Sequence, residues 1–485
     1  MNCVIIFTDQ HSKNVLGCYG NPYVKTPNLD LMAAEGVCFD QAYTSCPVCV
    51  PARAAMAIGN YGSRYQYWDN AYGYDGRAKS WAGRLGEQDY DVTTIGKLHF
   101  INAGPETGFR DQRIPLHIKD GVGDVYGEIR DHEITRPQFR NAILNAKDGS
   151  TDYIIYDREI ARQSVEFLKE KGERAEKVEQ GGYHEKPFTL LTGFVTPHFP
   201  LTVPKEYLDL YPDESSIRIP VEFEREQWPH HPVLDDYRRY CCTENLTREE
   251  GIRAIRVYYG LCSFMDEQVG KVLQAIKDNG LAENTRIIYC TDHGDCMGDH
   301  GLFFKSTMYE GSAGIPLILS GPDIPKGERR DTSVSLVDIY PTVMDCVGAV
   351  ADDYDRALPG TSLIPLAEGA SIPDRAVYSE YLSFGIYTGE YMIRKNQYKL
   401  MYFVNERPML FDLSKGTEET VNLAEDEAYQ DVLCDMISEL KKVTDPEKTE
   451  ADARKAQEEL LNRFGGREEF LENFKPSLFS PIPKW

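Results

Sequence analysis

Two hydrophobic segments of this sequence end in the same polar pattern. Val4–Phe7 is followed by Thr8–His11 (TDQH), and Ile287–Cys290 is followed by Thr291–Gly294 (TDHG). Short, nearly continuous hydrophobic runs of this kind predict central strands of a parallel sheet, covered on both faces. The carboxyl ends of parallel strands share one edge of the sheet, where open α/β folds bind ligands, so we expect the two polar patterns to meet there.

The polar groups at that edge are candidates for a metal site. Carboxylate and amide oxygens, together with one imidazole nitrogen, suit a hard divalent cation. An Asp at the end of a strand also commonly caps the next helix, and this alternative stays open for either pattern taken alone. The repetition of the pattern favours the metal site. The candidate ligands are Asp9, Gln10, Asp292 and His293.

The segment Cys49–Arg53 (CVPAR) combines a thiol, the start of a helix and a guanidinium group. Pro51 predicts the first residue of that helix, with Cys49 just ahead of it. The N-terminus of a helix attracts anions, and Arg53 would add a planar pair of donors for a tetrahedral oxyanion. Cys46 and Cys49 also form a CxxC pattern, but the sequence has no second one, so a four-thiolate zinc site is not supported.

Cys49–Arg53 resembles the CxPxR core of the type I sulfatases, in which this cysteine is converted to formylglycine. The family usually has Ser where this chain has Ala52. Within the family, Asp69–Ala71 and Phe304–Lys305, followed by Tyr309–Ala313, are similar to choline-sulfatases and their bacterial relatives. The other segments that carry the resemblance, spread over nearly the whole chain, are Lys25–Asp30, Gly96–His99, Thr196–His198, Asp292–Asp295 and Leu410–Leu413.

The resemblance implies an alkaline-phosphatase-like α/β fold, with a large, mostly parallel central sheet flanked by helices and a smaller C-terminal α+β subdomain. It also implies a divalent metal ion held by the four candidate ligands, usually Ca2+ in sulfatases, with Mg2+ or Mn2+ as alternatives. Formylglycine at position 49 would be hydrated to a geminal diol. One hydroxyl would attack sulfur and expel the alcohol, and the other would then release sulfate, whereas a plain serine ester would hydrolyse as slowly as the substrate.

The resemblance also assigns roles to the charged residues of these motifs. Arg53, Lys97 and Lys305 would neutralise the sulfate oxygens and the developing anion. His198 would protonate the leaving alcohol, and His99 would orient the diol. The matched positions that would bind the substrate are Asn70 and Glu380. A quaternary ammonium such as choline binds aromatic faces beside a carboxylate, but the alcohol stays open among choline, aryl, alkyl and sugar alcohols.

Two other functions also stay open. A phosphonate monoester or phosphodiester hydrolase of the same superfamily would share CxPxR and a similar metal cradle, and a phosphodiester carries the same single negative charge as a sulfate monoester. A non-catalytic binding protein would keep Cys49 as an unconverted thiol. The expected partners of a sulfatase are a small-molecule sulfate ester and the maturation enzyme that generates formylglycine.

The remaining hydrophobic patterns predict strands alternating with helices, which favours a doubly wound, mostly parallel sheet. Residues 100–150 and 200–245 lack such periodicity and are expected to form loops near the site. Antiparallel strands at Tyr391–Val404 and Pro408–Leu413, with Glu390 and Lys395–Gln397 at turns, place a boundary between domains 1–375 and 376–485. The other predicted strands and helices are Val92–Ile95, Phe188–Val195 and Pro316–Ser320, and Pro27–Glu35, Asp157–Lys169, Arg248–Asn279, Leu336–Val347, 427–443 and 449–463.

The composition limits the partners of the chain. Its 485 residues include 53 Lys and Arg against 77 Asp and Glu, a net charge of −24, which repels nucleic acid and anionic membranes. An anionic substrate must therefore enter a locally positive pocket. The 12 cysteines are irregularly spaced, and residues 1–7 lack the pattern of a signal peptide, so a cytoplasmic protein with reduced thiols is expected.

The last twelve residues of the sequence crowd large apolar side chains between prolines, which exclude a regular helix. Exposing that much apolar surface costs about 25 cal/mol per Å2, so a docked segment is predicted. It would contribute to a homo-oligomer, or alternatively pack on its own C-terminal subdomain. The apolar residues concerned are Phe474, Leu478, Phe479, Ile482 and Trp485.

Overall fold

The computed structural model of the chain describes residues 1–181, 186–474 and 479–485, except for the side chains of 176–181. The strands of this part of the chain are β1 Asn2–Asp9, β2 Gly36–Phe39, β3 Ala42–Tyr43, β4 Asp91–Lys97, β5 Asp111–Leu116, β6 Lys147–Asp148, β7 Phe188–Pro197, β8 Thr202–Val203, β9 Thr285–Thr291, β10 Leu317–Ser320, β11 Glu328–Arg330, β12 Val334–Ser335, β13 Ala376–Tyr381, β14 Glu390–Lys395, β15 Tyr398–Phe403 and β16 Met409–Asp412. The α-helices are α1 Pro27–Ala34, α2 Cys49–Ile58, α3 Trp81–Glu87, α4 Pro137–Leu144, α5 Asp152–Gly181, α6 Lys205–Leu208, α7 Pro232–Cys241, α8 Arg248–Asp278, α9 Glu310–Ala313, α10 Ile339–Val347, α11 Asp353–Arg356, α12 Leu363–Ala367, α13 Gln430–Val443, α14 Pro446–Arg463 and α15 Arg467–Asn473.

The central sheet has eight strands in the order β11-β2-β10-β9-β1-β7-β4-β5. The strands β9, β1, β7, β4 and β5 are parallel neighbours, and β10 runs antiparallel to β9 and β2. All eight residues of β1 are buried, as expected for a strand with helices on both faces. The mostly parallel sheet predicted from the sequence is therefore confirmed, with β10 as the antiparallel member.

The predicted elements differ from the observed ones mainly at their ends. Helix α2 begins at Cys49 instead of Pro51, because the fixed φ of proline suits any position in the first turn. Helix α5 extends the predicted Asp157–Lys169 in both directions, and the regions expected to be loops contain β5, α4 and α7. Short elements in polar segments have weak periodicity, which explains why they escape detection.

A second, four-stranded antiparallel sheet, β13-β14-β15-β16, lies in the C-terminal part of the chain. Helix α13 packs on it through Leu433, Met436 and Leu440. Glu390, predicted at a turn, lies in β14, where its buried carboxylate accepts a hydrogen bond from the Met308 backbone N–H at 3.1 Å. The strand β13 was not predicted from the sequence, and neither was helix α15.

Buried ion pairs connect this C-terminal sheet to helix α9 and to Lys13, which follows β1. Lys399 on β15 lies 2.8 Å from Glu310 and 2.7 Å from Glu419, and Glu310 also pairs with Lys13. Glu310 is the first residue of helix α9, which follows the loop that contains Lys305. The ion pairs therefore fix the end of that loop. Among the described residues, every helix is either too short or too polar to cross a membrane.

Candidate active site

The two polar patterns predicted from the sequence do meet at one edge of the sheet. Parallel pairing aligns Thr8 with Thr291, which places the following Asp9 and Asp292 side by side. Ligand atoms of Asp9, Asp292, His293 and Cys49 all lie within 4.8 Å of one another, and the four residues are buried. Such a cluster can bind a divalent cation.

The ring of His293 is oriented for such a role. Its Nδ1 donates to the carbonyl oxygen of Gly294 at 2.9 Å, which leaves Nε2 as a lone-pair donor, 3.2 Å from the Cys49 sulfur. Burial lowers the pKa of His293 to about 4, so the ring is neutral at physiological pH. A neutral imidazole with one fixed nitrogen is the form that coordinates metals.

Gln10 is held by a residue that the sequence argument did not single out. Its Nε2 donates to the carboxylate of Asp295 at 2.6 Å, and its Oε1 accepts from Lys305 Nζ at 2.7 Å. Asp295 therefore fixes which end of the amide faces the cluster. The backbone of Gln10 has a φ of 68°, a sparsely populated conformation for a residue with a side chain, and its N–H donates to Asp292.

These residues fit a hard divalent cation. Two carboxylates, an amide oxygen and an imidazole nitrogen form an oxygen-rich donor set, which suits Ca2+, Mg2+ or Mn2+ better than a soft metal. Asp9 is ionised in the absence of a metal. Burial opposes its ionisation, but Lys97, His198 and Arg53 together keep its pKa well below the usual range. A bound cation would supply part of the positive charge that stabilises this carboxylate.

The guanidinium group of Arg53 contacts the two carboxylates. Its Nε donates to Asp292 at 2.9 Å, and its Nη2 donates to Asp9 at 3.1 Å. The same group also donates to the backbone oxygens of Thr8 and Lys97. As placed, Arg53 holds the carboxylates in position, and its contact with a sulfate oxygen stays a prediction.

Two lysines flank Cys49 from different elements. Lys97, at the end of β4, forms an ion pair with Asp9, and Lys305 Nζ lies 3.2 Å from the Cys49 sulfur. Both lysines are buried, so their charges act in a medium where water screens little. Lys97 at a strand end and Lys305 on a loop therefore bring positive charge to the pocket that an acidic protein needs for an anionic substrate.

Cys49 is the first residue of helix α2, where the positive end of the helix faces the cluster. Asn70 supports this turn, because its Oδ1 accepts a hydrogen bond from the Val50 N–H at 3.1 Å. Burial, followed by the charge of Asp9, raises the pKa of the Cys49 thiol to about 11. The unmodified residue is therefore a neutral thiol at physiological pH, which is a weak nucleophile.

The two predicted catalytic histidines line the same cavity as Cys49. His198 Nδ1 donates to the Phe199 carbonyl oxygen at 2.6 Å, and its Nε2 lies 4.0 Å from Asp9. His99 Nε2 lies 3.0 Å from the Ser480 hydroxyl, and the φ of His99 is 56°. Burial, reinforced by nearby lysines, lowers the pKa of both rings well below the usual value.

The cavity in front of Cys49 has a volume of about 260 Å3 and two chemically different ends. Its polar end consists of Cys49, Asn70, Lys97, His99, His198 and Lys305. Its aromatic end consists of Tyr126, Phe139, Phe384, Phe464, Phe470, Phe474 and Phe479. Arg136 belongs to the aromatic end as well: its guanidinium binds Asp124 and lies over the rings of Phe139 and Phe384.

Glu380 is not among the described side chains that line this cavity. Its carboxylate is buried and accepts hydrogen bonds from the Ser63 N–H at 2.8 Å and the Tyr378 hydroxyl at 2.7 Å. A part for Glu380 in substrate binding stays a prediction. The structure thus brings eleven of the twelve predicted site residues together and leaves Glu380 apart.

Sequence reasoning missed Asp295 and the residues of the aromatic end. Asp295 belongs to the segment Asp292–Asp295, which resembles the sulfatase family, so this motif could have identified it as a site residue. The aromatic residues come from segments as distant as Phe139, Phe384 and Phe479, and no local spacing connects them.

Fold and site together define an alkaline-phosphatase-like hydrolase. The family model described as "Sulfatase" matches residues 1–349, and a second one, "N-sulphoglucosamine sulphohydrolase, C-terminal", matches residues 298–446. The chain belongs to the sulfatase family, whose members are sulfuric ester hydrolases.

Two curated relatives support this assignment, and a solved structure shares the fold. The chain is 29% identical over 437 residues to a choline-sulfatase of Rhizobium meliloti, covering 87% of this chain and 82% of the relative. It is 29% identical over 460 residues to an arylsulfatase of Clostridium perfringens, covering 89% and 91%. A phosphonate monoester hydrolase of Agrobacterium radiobacter shares the fold, with a TM-score of 0.69 at 23% identity, covering 91% of this chain and 95% of that one.

Proposed function

We propose that the protein hydrolyses sulfate monoesters to an alcohol and inorganic sulfate, with Cys49 converted to formylglycine. The observation that carries this proposal is the convergence on Cys49 of a helix N-terminus, Lys305 and the carboxylate–imidazole cluster. Such surroundings stabilise an anionic ester and the charge that develops when its bond to the alcohol breaks. The neutral thiol of an unconverted Cys49 could not perform this attack efficiently.

The residues of the polar end have different roles in the proposed reaction. The hydrated aldehyde at position 49 supplies the hydroxyl that attacks sulfur, and its second hydroxyl supplies the electron pair that later releases sulfate. Lys97 and Lys305 neutralise the sulfate oxygens from two sides, and Asn70 holds the turn that carries the nucleophile. His99 orients the hydroxyl groups at position 49.

Asp9, Gln10, Asp292 and His293 would hold a divalent metal ion, most simply Ca2+, which supplies Lewis-acid stabilisation of the sulfate oxygens when bound. Arg53 keeps Asp9 and Asp292 at the right separation, and Asp295 keeps the Gln10 oxygen turned toward the site. These positioning contacts exist within the protein itself.

His198 is the proposed acid for the leaving alcohol. Its Nδ1 proton is committed to the Phe199 carbonyl, so Nε2 is the atom that can deliver a proton. Acting as an acid therefore requires the doubly protonated ring. Burial and Lys305 oppose that form by lowering the pKa of His198, whereas Asp9 and an arriving anionic substrate favour it.

A phosphonate monoester or phosphodiester hydrolase is the second candidate. The similarity in fold to the phosphonate monoester hydrolase favours it, and charge alone does not separate the two substrates.

We further propose that the chain has a catalytic domain at 1–375 and a C-terminal subdomain at 376–485. We also propose a cytoplasmic location, which is consistent with twelve unpaired cysteines. The protein would form a homo-oligomer, and a maturation enzyme would act on Cys49.

Mass analysis of the peptide that contains Cys49, together with parallel kinetics on an aryl sulfate and an aryl phosphonate monoester, tests the proposal. We expect formylglycine in the active fraction and a higher kcat/KM for the sulfate. Full activity with unmodified cysteine would contradict the mechanism. Faster turnover of the phosphonate would select the second candidate.

A further inference from the structure

The last seven residues of the sequence, 479–485, lie against the active site of their own chain. The Ser480 hydroxyl is 3.0 Å from His99 Nε2, and the Ser480 carbonyl oxygen accepts a hydrogen bond from the Tyr153 hydroxyl at 2.9 Å. Tyr153 itself lines the cavity in front of Cys49. Two contacts from one residue thus reach both a catalytic histidine and the cavity wall.

Aromatic packing holds the segment on both sides of Ser480. The Phe479 ring packs edge-on against Phe199 and Tyr153, at centroid distances of 5.7 and 6.3 Å. Farther along, Trp485 stacks on Tyr156 at 5.5 Å, and Ile482 packs against a buried core cluster. The predicted docking of this segment is therefore seen within one chain. Of the apolar residues named for it, Leu478 lies outside the described residues, as does the neighbouring Pro476.

Phe479 lines the cavity without being a core residue. It is 42% exposed, whereas Phe139, which lines the same cavity, is 2% exposed. Part of the Phe479 side chain is therefore open to solvent while the rest borders the cavity. A side chain in this position can limit which groups fit in the cavity without being needed to hold the core together.

We propose that residues 479–485 complete the active site, with Ser480 positioning His99 and Phe479 selecting sulfate esters of flat, apolar alcohols. This inference rests on the sulfatase function proposed above. A neutral imidazole presents one proton donor and one acceptor, and its bond to Ser480 decides which nitrogen remains for the reacting group. His99 Nδ1 is buried without a hydrogen-bond partner among the described residues, so within the described part of the chain the bond to Ser480 is what fixes the orientation of this ring.

The substrate class follows from the chemistry of the aromatic end. A sugar needs a ring of hydrogen-bond partners around it, because each buried hydroxyl without one costs binding energy. This end consists mainly of seven aromatic rings. Of the other charged groups that line the cavity, Arg136 and Asp124 are paired with each other, and Lys119 and Asp120 are solvent-exposed. Aromatic rings stack well on flat apolar groups, so phenyl-type alcohols should bind better than sugars of similar size.

Substitution of Ser480 tests the positioning of His99. In Ser480→Ala, kcat for 4-nitrophenyl sulfate should fall about tenfold, with KM changed less than about twofold, since one ordinary hydrogen bond is lost. Ser480→Thr keeps the hydroxyl and should recover most of that loss. Ser414→Ala, which removes an exposed hydroxyl far from the cavity, is the matched control. A kcat of Ser480→Ala within twofold of the wild type would overturn this part.

Substitution of Phe479 tests the substrate class. We compare 2-phenylethyl sulfate with glucose 6-sulfate, because both release primary alcohols and so need the same help in leaving. The wild type should prefer the phenylethyl ester. Phe479→Ala should lower its kcat/KM about 10- to 50-fold and change that of the sugar ester less than about threefold, as expected for a lost apolar wall. Leu210→Ala, which shortens an exposed apolar side chain elsewhere, is the control.

A binding measurement separates this inference from the proposed reaction. Cys49→Ala, which cannot turn over, should still bind 2-phenylethyl sulfate in a calorimeter, and Cys49→Ala/Phe479→Ala should bind it about tenfold more weakly. Equal affinities, or a wild type that prefers the sugar ester, would overturn the role of Phe479. If no sulfate ester is hydrolysed but the affinities differ as expected, the proposed function fails and the aromatic selection stands.

Discussion

The polar end and the aromatic end of the cavity are built from the chain in different ways. Much of the polar end comes from residues that end or directly follow a central strand or begin a helix, such as Lys97, His198 and Cys49. The aromatic end comes from short helices, loops and the last residues of the sequence, such as Phe139, Phe384 and Phe479. The sheet largely fixes the positions of the polar-end residues. Packing among several separate segments of the chain fixes the positions of the aromatic-end residues.

This difference separates chemistry from selectivity. Every described charged group in the polar end has an opposite charge or a hydrogen-bond partner close by, so its geometry is stiff and any change should affect all substrates. The aromatic end binds through area and shape, so a change there should affect substrates unequally. We expect four substitutions to test this contrast, with effects that decrease from the first to the last.

The largest effect is expected for Asp292→Asn, in the carboxylate–imidazole cluster beside the polar end. Losing one carboxylate should remove bound metal and lower kcat/KM about 100- to 1,000-fold for every sulfate ester, because metal and Arg53 both depend on this group. Elemental analysis and kinetics on two unrelated esters measure the two effects. Asp353→Asn, an exposed change, should leave both intact. A variant that retains its full metal content would remove Asp292 from the ligand set.

His198→Ala should distinguish substrates by their leaving groups. An alkyl alcohol needs a proton as it departs and nitrophenolate does not, so the loss should be about 100-fold or more for alkyl sulfates and less than about tenfold for 4-nitrophenyl sulfate. Rates for both esters on the variant and on the exposed control His230→Ala provide the test. Equal losses would mean that His198 acts on the sulfate rather than as the acid.

Phe139→Leu should give a smaller effect that depends on the alcohol. The ring is buried against Phe304 and Phe384, so its replacement should cost about 1–2 kcal/mol of stability and lower kcat/KM for aromatic esters about fivefold. Methyl sulfate, which is too small to reach this ring, should react at the wild-type rate. A uniform loss for both esters would show that the two ends are not independent.

Glu390→Gln, outside both ends, should leave all substrate ratios unchanged and alter only the pH dependence of stability. Burial raises the pKa of Glu390 to about 8, against the opposing effects of the Met308 N–H and Lys399. Its pKa in the unfolded chain is about 4.3, so the protonated carboxyl favours the folded state, and stability falls as pH rises from about 4 to about 8.

The variant lacks this titration, so its melting temperature should vary less between pH 5 and 8 and should exceed that of the wild type at pH 8. Thermal melts across that range, with the exposed Glu283→Gln as control, measure the difference. Parallel curves for the variant and the wild type would show that Glu390 is ionised throughout.

The sequence by itself determined the central strands and the polar end. Repeated hydrophobic runs ending in Thr-Asp predict parallel strands whose ends meet, and a proline and a glycine frame the helix that starts near Cys49. These signals are local, because a strand end or a helix start fixes where its own residues point. The antiparallel direction of β10 escaped prediction, since a buried run of four residues carries no mark of its direction.

Tertiary structure alone decided the partners of these residues. The guanidinium of Arg53 contacts Asp9 and Asp292, two partners that the sequence did not indicate, because the sheet brings both carboxylates within its reach. The bond between Ser480 and His99 joins positions 381 residues apart. No spacing rule spans such a distance, because only the packing of many segments at once sets which side chains meet there.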